Sequence, residues 1–60
     1  MQTFRIFYFR RNILHHSEEV QVRDILDAVD LARGTEPDVR AEIWSDSRRV
    51  GEIGPVPGQG

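Results

Sequence analysis

Two groups of residues in this chain have types and spacings that bear on chemistry. His15-His16 followed by Glu18-Glu19 brings two imidazoles and two carboxylates within five positions, a set with metal-ligand and acid–base character. The second group is the run Phe4-Arg5-Ile6-Phe7-Tyr8-Phe9, matched downstream by Arg40-Ala41-Glu42-Ile43-Trp44. An extended segment sends alternate side chains to opposite sides. Phe4, Ile6 and Tyr8 therefore share one face, and Arg5, Phe7 and Phe9 the other.

The histidine cluster reads as a solvated strand edge. Adjacent histidines on a strand point to opposite faces, so the pair is poorly placed to share one ion. Acid–base catalysis would need a nucleophile, a glycine-rich loop or a second carboxylate pair at a recognisable spacing, and none accompanies them. The chain has no cysteine, which removes disulfides, thiolate zinc sites and a catalytic thiol. A substrate-sized cleft is also hard to build from 60 residues. The expectation is a non-enzymatic protein with no catalytic residue, no metal and no cofactor.

The aromatic and arginine residues support a sharper expectation. A domain this short can cover only one sheet face with a helix, leaving Glu42 on the other face together with the aromatic and arginine residues Arg5, Phe7, Phe9, Arg40 and Trp44. These residue types are enriched at the centres of protein interfaces. A marginal domain also gains stability when such a face is buried. The expected role is an interaction module, forming a homodimer or docking a protein partner through this face or a strand edge. The alternative is a single-stranded nucleic-acid binder that stacks bases on the same face. Against it stand the net charge of −2 and the absence of lysine among the eight basic residues. A plainer account has Phe7, Phe9 and Trp44 covering one another and the arginine stems, since isolated exposed apolar residues are common on any surface.

Charge is segregated along the chain. Residues 1–16 carry three arginines and no acid, giving +3; residues 17–38 carry seven acids and two arginines, giving −5. The acids thus gather around the central segment. Base composition of the genome is the simpler account of the all-arginine set, although arginine does suit planar and stacked contacts better than lysine.

The elements that must position these groups follow from periodicity. Thr3 to Phe9 is the first strand, Arg10-Arg11-Asn12 the turn, and Ile13 to Val22 a second strand with a bulge or bend within His15–Glu18. Asp24 caps a helix over residues 24–33, about 15 Å long at 1.5 Å per residue. Ile25, Ala28, Val29 and Ala32 form its apolar stripe, with Leu26 and Leu31 on the flanks. Arg33 falls in the last turn, Gly34 is a natural C′ residue, and Thr35 to Asp38 form a loop. Val39–Trp44 and Arg48–Ile53 are the third and fourth strands, joined by a Ser45-Asp46-Ser47 turn.

The fold class is therefore α+β: ββαββ, a four-stranded, mainly antiparallel sheet with one helix packed on one face. The helix stripe is expected to meet Ile6, Tyr8, Leu14, Val20, Val22, Ala41, Ile43 and Val50. Strand order does not follow from periodicity. Residues 1–53 form one domain, and residues 54–60, with two prolines and three glycines, a disordered tail. The apolar start flows straight into Arg10 and Arg11, unlike a signal peptide, and no apolar run approaches the roughly 20 residues that span a bilayer. A cytoplasmic protein that binds no membrane is expected.

The motifs Phe4-Arg5-Ile6-Phe7, Asp27-Ala28 through Ala32, Ala41-Glu42-Ile43-Trp44 and Arg49-Val50-Gly51 also carry a resemblance. Over residues 3–53 the chain resembles a set of short, mostly uncharacterised proteobacterial single-domain proteins. Those proteins have a Tyr-Arg-Ile-Tyr-type first strand and a Glu-x-Trp third strand. Many carry a glycine in the first hairpin, where this chain has Arg11-Asn12. The resemblance implies the same fold and supplies no activity.

Overall fold

The computed structural model describes residues 1–33 and 38–54. The expectations for Gly34, for residues 35–37 of the loop and for residues 55–60 of the tail lie outside them. Five elements run in the order ββαββ: β1 (Gln2–Arg10), β2 (Ile13–Val22), α1 (Ile25–Ala32), β3 (Val39–Ser45) and β4 (Arg48–Ile53). The strands form one antiparallel sheet in the order β2-β1-β3-β4. β1 and β3 are the inner strands. The path from β2 through α1 to β3 passes over β1, and α1 rests on β2, β3 and β4.

The turns show how local chemistry sets the register. Arg10 pairs with Ile13, so Arg11 and Asn12 alone make the first turn, at φ 54° and 66°. Two successive left-handed residues are the type I′ solution, whose twist matches that of the strands. Asparagine adopts it easily, whereas arginine has a Cβ that costs about 1 kcal/mol there. In the second hairpin Asp46 takes φ 58°, and Ser45 pairs with Arg48.

The helix begins where its cap chemistry requires. Asp24 is extended, and its side chain accepts from the Asp27 N–H at 3.1 Å, meeting one of the first-turn donors. Arg23 adds an ion pair to Asp27 at 3.2 Å. Arg33 was expected in the last turn but is the C-cap: its backbone is extended, and its N–H donates to Val29 O at 3.0 Å.

The core is small. Phe4, Ile6, Val22, Ala28, Ala32, Ala41 and Ile43 are buried, and among the described residues Ile6 and Ile43 are the large side chains sealed completely. Tyr8, Val20, Ile25, Val29 and Ile53 pack around them. Ala28 and Ala32, one helical turn apart, present almost no side chain, which lets the helix sit close on the Ile6–Ile43 pair. Leu26 and Leu31 on the flanks are 69% and 56% exposed.

Two residues assigned to the helix side are not there. Leu14 is 52% exposed because the register shifts between Tyr8 and Phe9: Tyr8 pairs with His16, Phe9 with Leu14, and His15 is the extra residue. That bulge lies within the segment where the sequence called for one, and it turns Leu14 to the side of Phe9. Val50 is 41% exposed for the same reason, a second bulge between Ile43–Gly51 and Trp44–Arg49. Ile53, opposite Ala41, packs against the core in its place.

The tight first turn generates a test. Replacing Arg11-Asn12 by Asn-Gly removes the arginine from its left-handed conformation without altering the loop length. Stability should rise by about 1 kcal/mol, seen as a melting temperature higher by about 4–8 °C. An unchanged or lower melting temperature would contradict the turn geometry.

Candidate functional site

The sheet face away from α1 gathers the residues singled out by alternation. Cross-strand pairing sets Arg5 beside Trp44, Phe7 beside Glu42 and Phe9 beside Arg40, so all five expected interaction residues lie on this one face. β2 adds Glu19 opposite Arg5, Ser17 opposite Phe7 and Leu14 opposite Phe9. β4 adds Arg49 opposite Trp44 and Glu52 opposite Glu42. Phe7, Phe9, Arg40, Glu42 and Trp44 are all partly buried.

These side chains are locked to one another. The Trp44 ring meets Phe7 edge-on, centroids 6.1 Å apart at 82°, the arrangement that ring quadrupoles favour. The Arg40 guanidinium lies over the Phe9 ring, 4.3 Å from its centroid. Glu42 is the hub. One carboxylate oxygen accepts from Trp44 Nε1–H at 3.1 Å, the other from Arg40 at 2.9 Å, with Arg49 at 3.7 Å. Arg40 and Arg49 reach onward to Glu52 at 3.5 and 3.8 Å, and Arg5 lies 3.9 Å from Glu19.

Glu42 keeps 15% of its side-chain exposure, shielded by the groups laid over it rather than by depth. The Arg40 hydrogen bond and then the Trp44 bond hold its carboxyl below the usual carboxylate range, outweighing the opposing effect of desolvation. Glu42, Glu52 and Arg49 were not singled out as site residues, although alternation did place Glu42 on this face, and Glu19 was read only in the histidine cluster. Arg40, Glu42 and Trp44 share parity, which was the available signal for Glu42. The β4 bulge hid the other signal, because it changes the phase between Arg49 and Glu52.

The electrostatic sum decides what the face can attract. Arg5, Arg40 and Arg49 contribute +3, and Glu19, Glu42 and Glu52 contribute −3, leaving zero. Each of these arginines has an acid within 4 Å. A phosphate would meet arginines whose charge a nearby acid already offsets.

His16 and Glu18 of the histidine cluster sit on the other side, where the hairpin runs past the helix, while Glu19 belongs to the open face. An eight-residue helix is about 12 Å long, whereas ten-residue β2 extends about 33 Å, so residues 13–19 are all exposed. Tyr8 O–H donates to Glu18 at 2.9 Å, and His16 stacks on the Tyr8 ring at 4.6 Å and 21°. His15 and His16 were expected to diverge, but the bulge brings their rings to 5.7 Å, edge to face. No group of three or more His, Cys, Asp or Glu side chains among the described residues is placed to hold a metal ion. Two shallow concavities flank the sheet, one of about 380 Å³ beside His15, Arg10, Arg11 and Asp38 and one of about 420 Å³ between β2 and α1. No helix among the described residues is long and apolar enough to cross a membrane.

Family models, curated proteins and solved structures were compared with the chain, and none matches it.

The two hydrogen-bonded acids yield opposite pH effects. A carboxyl held down in the folded state stabilises above the ordinary carboxylate range and loses that contribution as pH falls through its folded value. Acid unfolding should therefore begin as Glu42 protonates. Glu42→Gln should cost about 1 kcal/mol at neutral pH and flatten the acid limb of the stability curve. An acid limb identical to that of the parent protein would rule out Glu42 as its source.

Tyr8 behaves the other way. Burial first, and then the bond to Glu18, push its hydroxyl up to about 12 from an ordinary 10.0. Its stabilisation is complete below pH 10 and is lost as pH rises through about 12. Tyr8 is the only tyrosine, so phenolate absorbance reads it directly. The midpoint should lie near 12, and Glu18→Gln should lower it part of the way toward 10. A midpoint at 10 in the parent chain would show Tyr8 to be neither desolvated nor bonded to Glu18 in solution.

Proposed function

We propose that this chain is a small non-enzymatic interaction module that associates with protein, a second copy or a different chain, through its open sheet face. The arrangement that carries this reading is the charge-neutral aromatic network of Phe7, Phe9, Arg40, Glu42 and Trp44. Its rings and guanidinium are already fixed, so a partner that covers them loses little side-chain entropy on binding. Tryptophan and arginine braced in this way are the residue types that dominate interface energetics. The small core points the same way, because two sealed isoleucines leave much to gain from covering another face.

Single-stranded nucleic acid is the competing occupant, since bases stack on aromatic and arginine-bearing sheets. The paired arginines weigh against it, because phosphate neutralisation supplies much of that affinity. A cytoplasmic setting and the absence of an enzymatic role belong to the same proposal.

Salt separates the two occupants. Association through the network should persist or tighten as salt rises, with Trp44 emission moving to the blue as the indole is covered. Trp44→Ala should preserve the fold, because Ala41 and Ile43 point to the other side, yet abolish association through this face. A short oligonucleotide that binds with a steep loss of affinity in salt, and shifts the Phe7, Phe9 and Trp44 signals, would replace this reading with the nucleic-acid one.

A further inference from the structure

The β2 edge carries an order of residues whose central pair, His16 and Glu18, the open face does not use. From His15 to Glu19 the chain reads His-His-Ser-Glu-Glu. Laid antiparallel against itself about Ser17, that segment sets His16 opposite Glu18, His15 opposite Glu19, and Ser17 opposite Ser17. The His16 imidazole then faces the Glu18 carboxylate, twice over by symmetry, while His15 sits in the bulge with its ring beside His16 and Glu19 lies on the face of Arg5. Shifting the register by two residues in either direction destroys this: one shift centres the pairing on His16 and the other on Glu18, each setting like residues opposite one another. We propose that β2 pairs with β2 of a second copy in this register, making a continuous eight-stranded sheet.

Three observations support it. β2 is an outer strand of the sheet, with β1 on one side, so its other side presents unpaired backbone groups. It is ten residues long, and every residue from Ile13 to Glu19 is exposed. The charged groups are also held in position. Tyr8 stacks on His16 and donates to Glu18, so one inner-strand ring braces both members of the central pair. β4, the opposite edge, is only six residues long, a shorter template.

Charged residues on an edge ordinarily deter pairing. Here their order deters strands in general while matching one partner, this same segment reversed. The other charged groups near the pairing fit it. Arg5 lies on Glu19 at 3.9 Å, and Arg10, Arg11 and Asp38 surround the concavity beside His15, outside the central pair. His16 and Glu18 both project to the helix side, as the pairs Tyr8–His16 and Ile6–Glu18 require. The two-fold axis is then perpendicular to the sheet, with both helices on one side and both aromatic networks on the other. Self-association uses the edge and leaves the open faces free for a different protein. This goes beyond the open-face reading and does not depend on it.

Edge pairing buries less than the ~800 Å² per partner of a standard interface, so the dimer is weak and is sought up to about 1 mM. Sedimentation and amide exchange of the unmodified protein are compared at micromolar and millimolar concentration. The expected result is a dimer in which alternate β2 amides become protected while Trp44 emission stays constant. Two variants then probe the register: His15→Glu with His16→Glu, and Glu18→Arg with Glu19→Arg. Each alone should dimerise at least tenfold more weakly, and an equimolar mixture should restore pairing. Circular dichroism verifies that both are folded. A monomer at every concentration overturns the proposal. So does a dimer that shifts Trp44 emission and leaves β2 amides unprotected, which would instead support self-association through the open face. Undiminished dimers in both variants, or a mixture that fails to pair, overturn the register.

Discussion

Everything in this domain hangs on one cross-strand pair, Ile6 against Ile43, capped by two alanines. These isoleucines come from the two inner strands and are the only large side chains among the described residues that are sealed completely. Fully burying each contributes about 1.5–3 kcal/mol. A domain of this length has a net stability of roughly 3–9 kcal/mol, at 0.05–0.15 kcal/mol per residue. The spacing of Ala28 and Ala32 follows from the same pair, since bulkier residues would lift the helix from the sheet. Leu26 and Leu31 remain outside because one short helix cannot turn all its apolar residues toward so narrow a core.

A core of that size leaves the other sheet face to find its own means of order. It does so with electrostatics joined to aromatic packing. Arginine fits this role as lysine would not: its planar head lies flat on Phe9 while its N–H groups reach Glu42 and Glu52. The face is therefore neither a solvated surface nor a second hydrophobic core. Its apolar rings are half covered by charges that cancel. Such a surface is compatible with water and still offers a rigid, desolvated centre to a complementary one.

Much of this was readable from residue order. The change from alternating to helical spacing at Asp24, and the return at Val39, place all five elements. Asp24 announces its own cap. Parity alone assigned Arg5, Phe7, Phe9, Arg40 and Trp44 to one face, and the two inner strands carry no bulge between those residues to disturb the count. The count failed in the outer strands. A single extra residue at His15 turns Leu14 over, and another at Val50 hands its place to Ile53. Bulges are set by twist and by the neighbouring strand, so a one-dimensional pattern indicates at most the segment that holds one. Strand order was hidden for a related reason: it depends on which edge β3 joins, and both edges of the first hairpin present similar backbone.

The crossing of β1 by the β2–α1–β3 path has a kinetic meaning. Each hairpin closes through a two-residue turn, whereas β1 meets β3 across 29 to 39 positions, from Arg10–Val39 to Arg5–Trp44. Loop-closure entropy rises only logarithmically, so this longer closure costs about 1 kcal/mol more than closing some ten residues. The larger obstacle is that neither hairpin owns a core. Ile6 belongs to one and Ile43 to the other, and each stays wet until β3 docks beside β1 beneath the helix. The chain thus has no half that is worth folding first, and its two hairpins gain their stability in the same step.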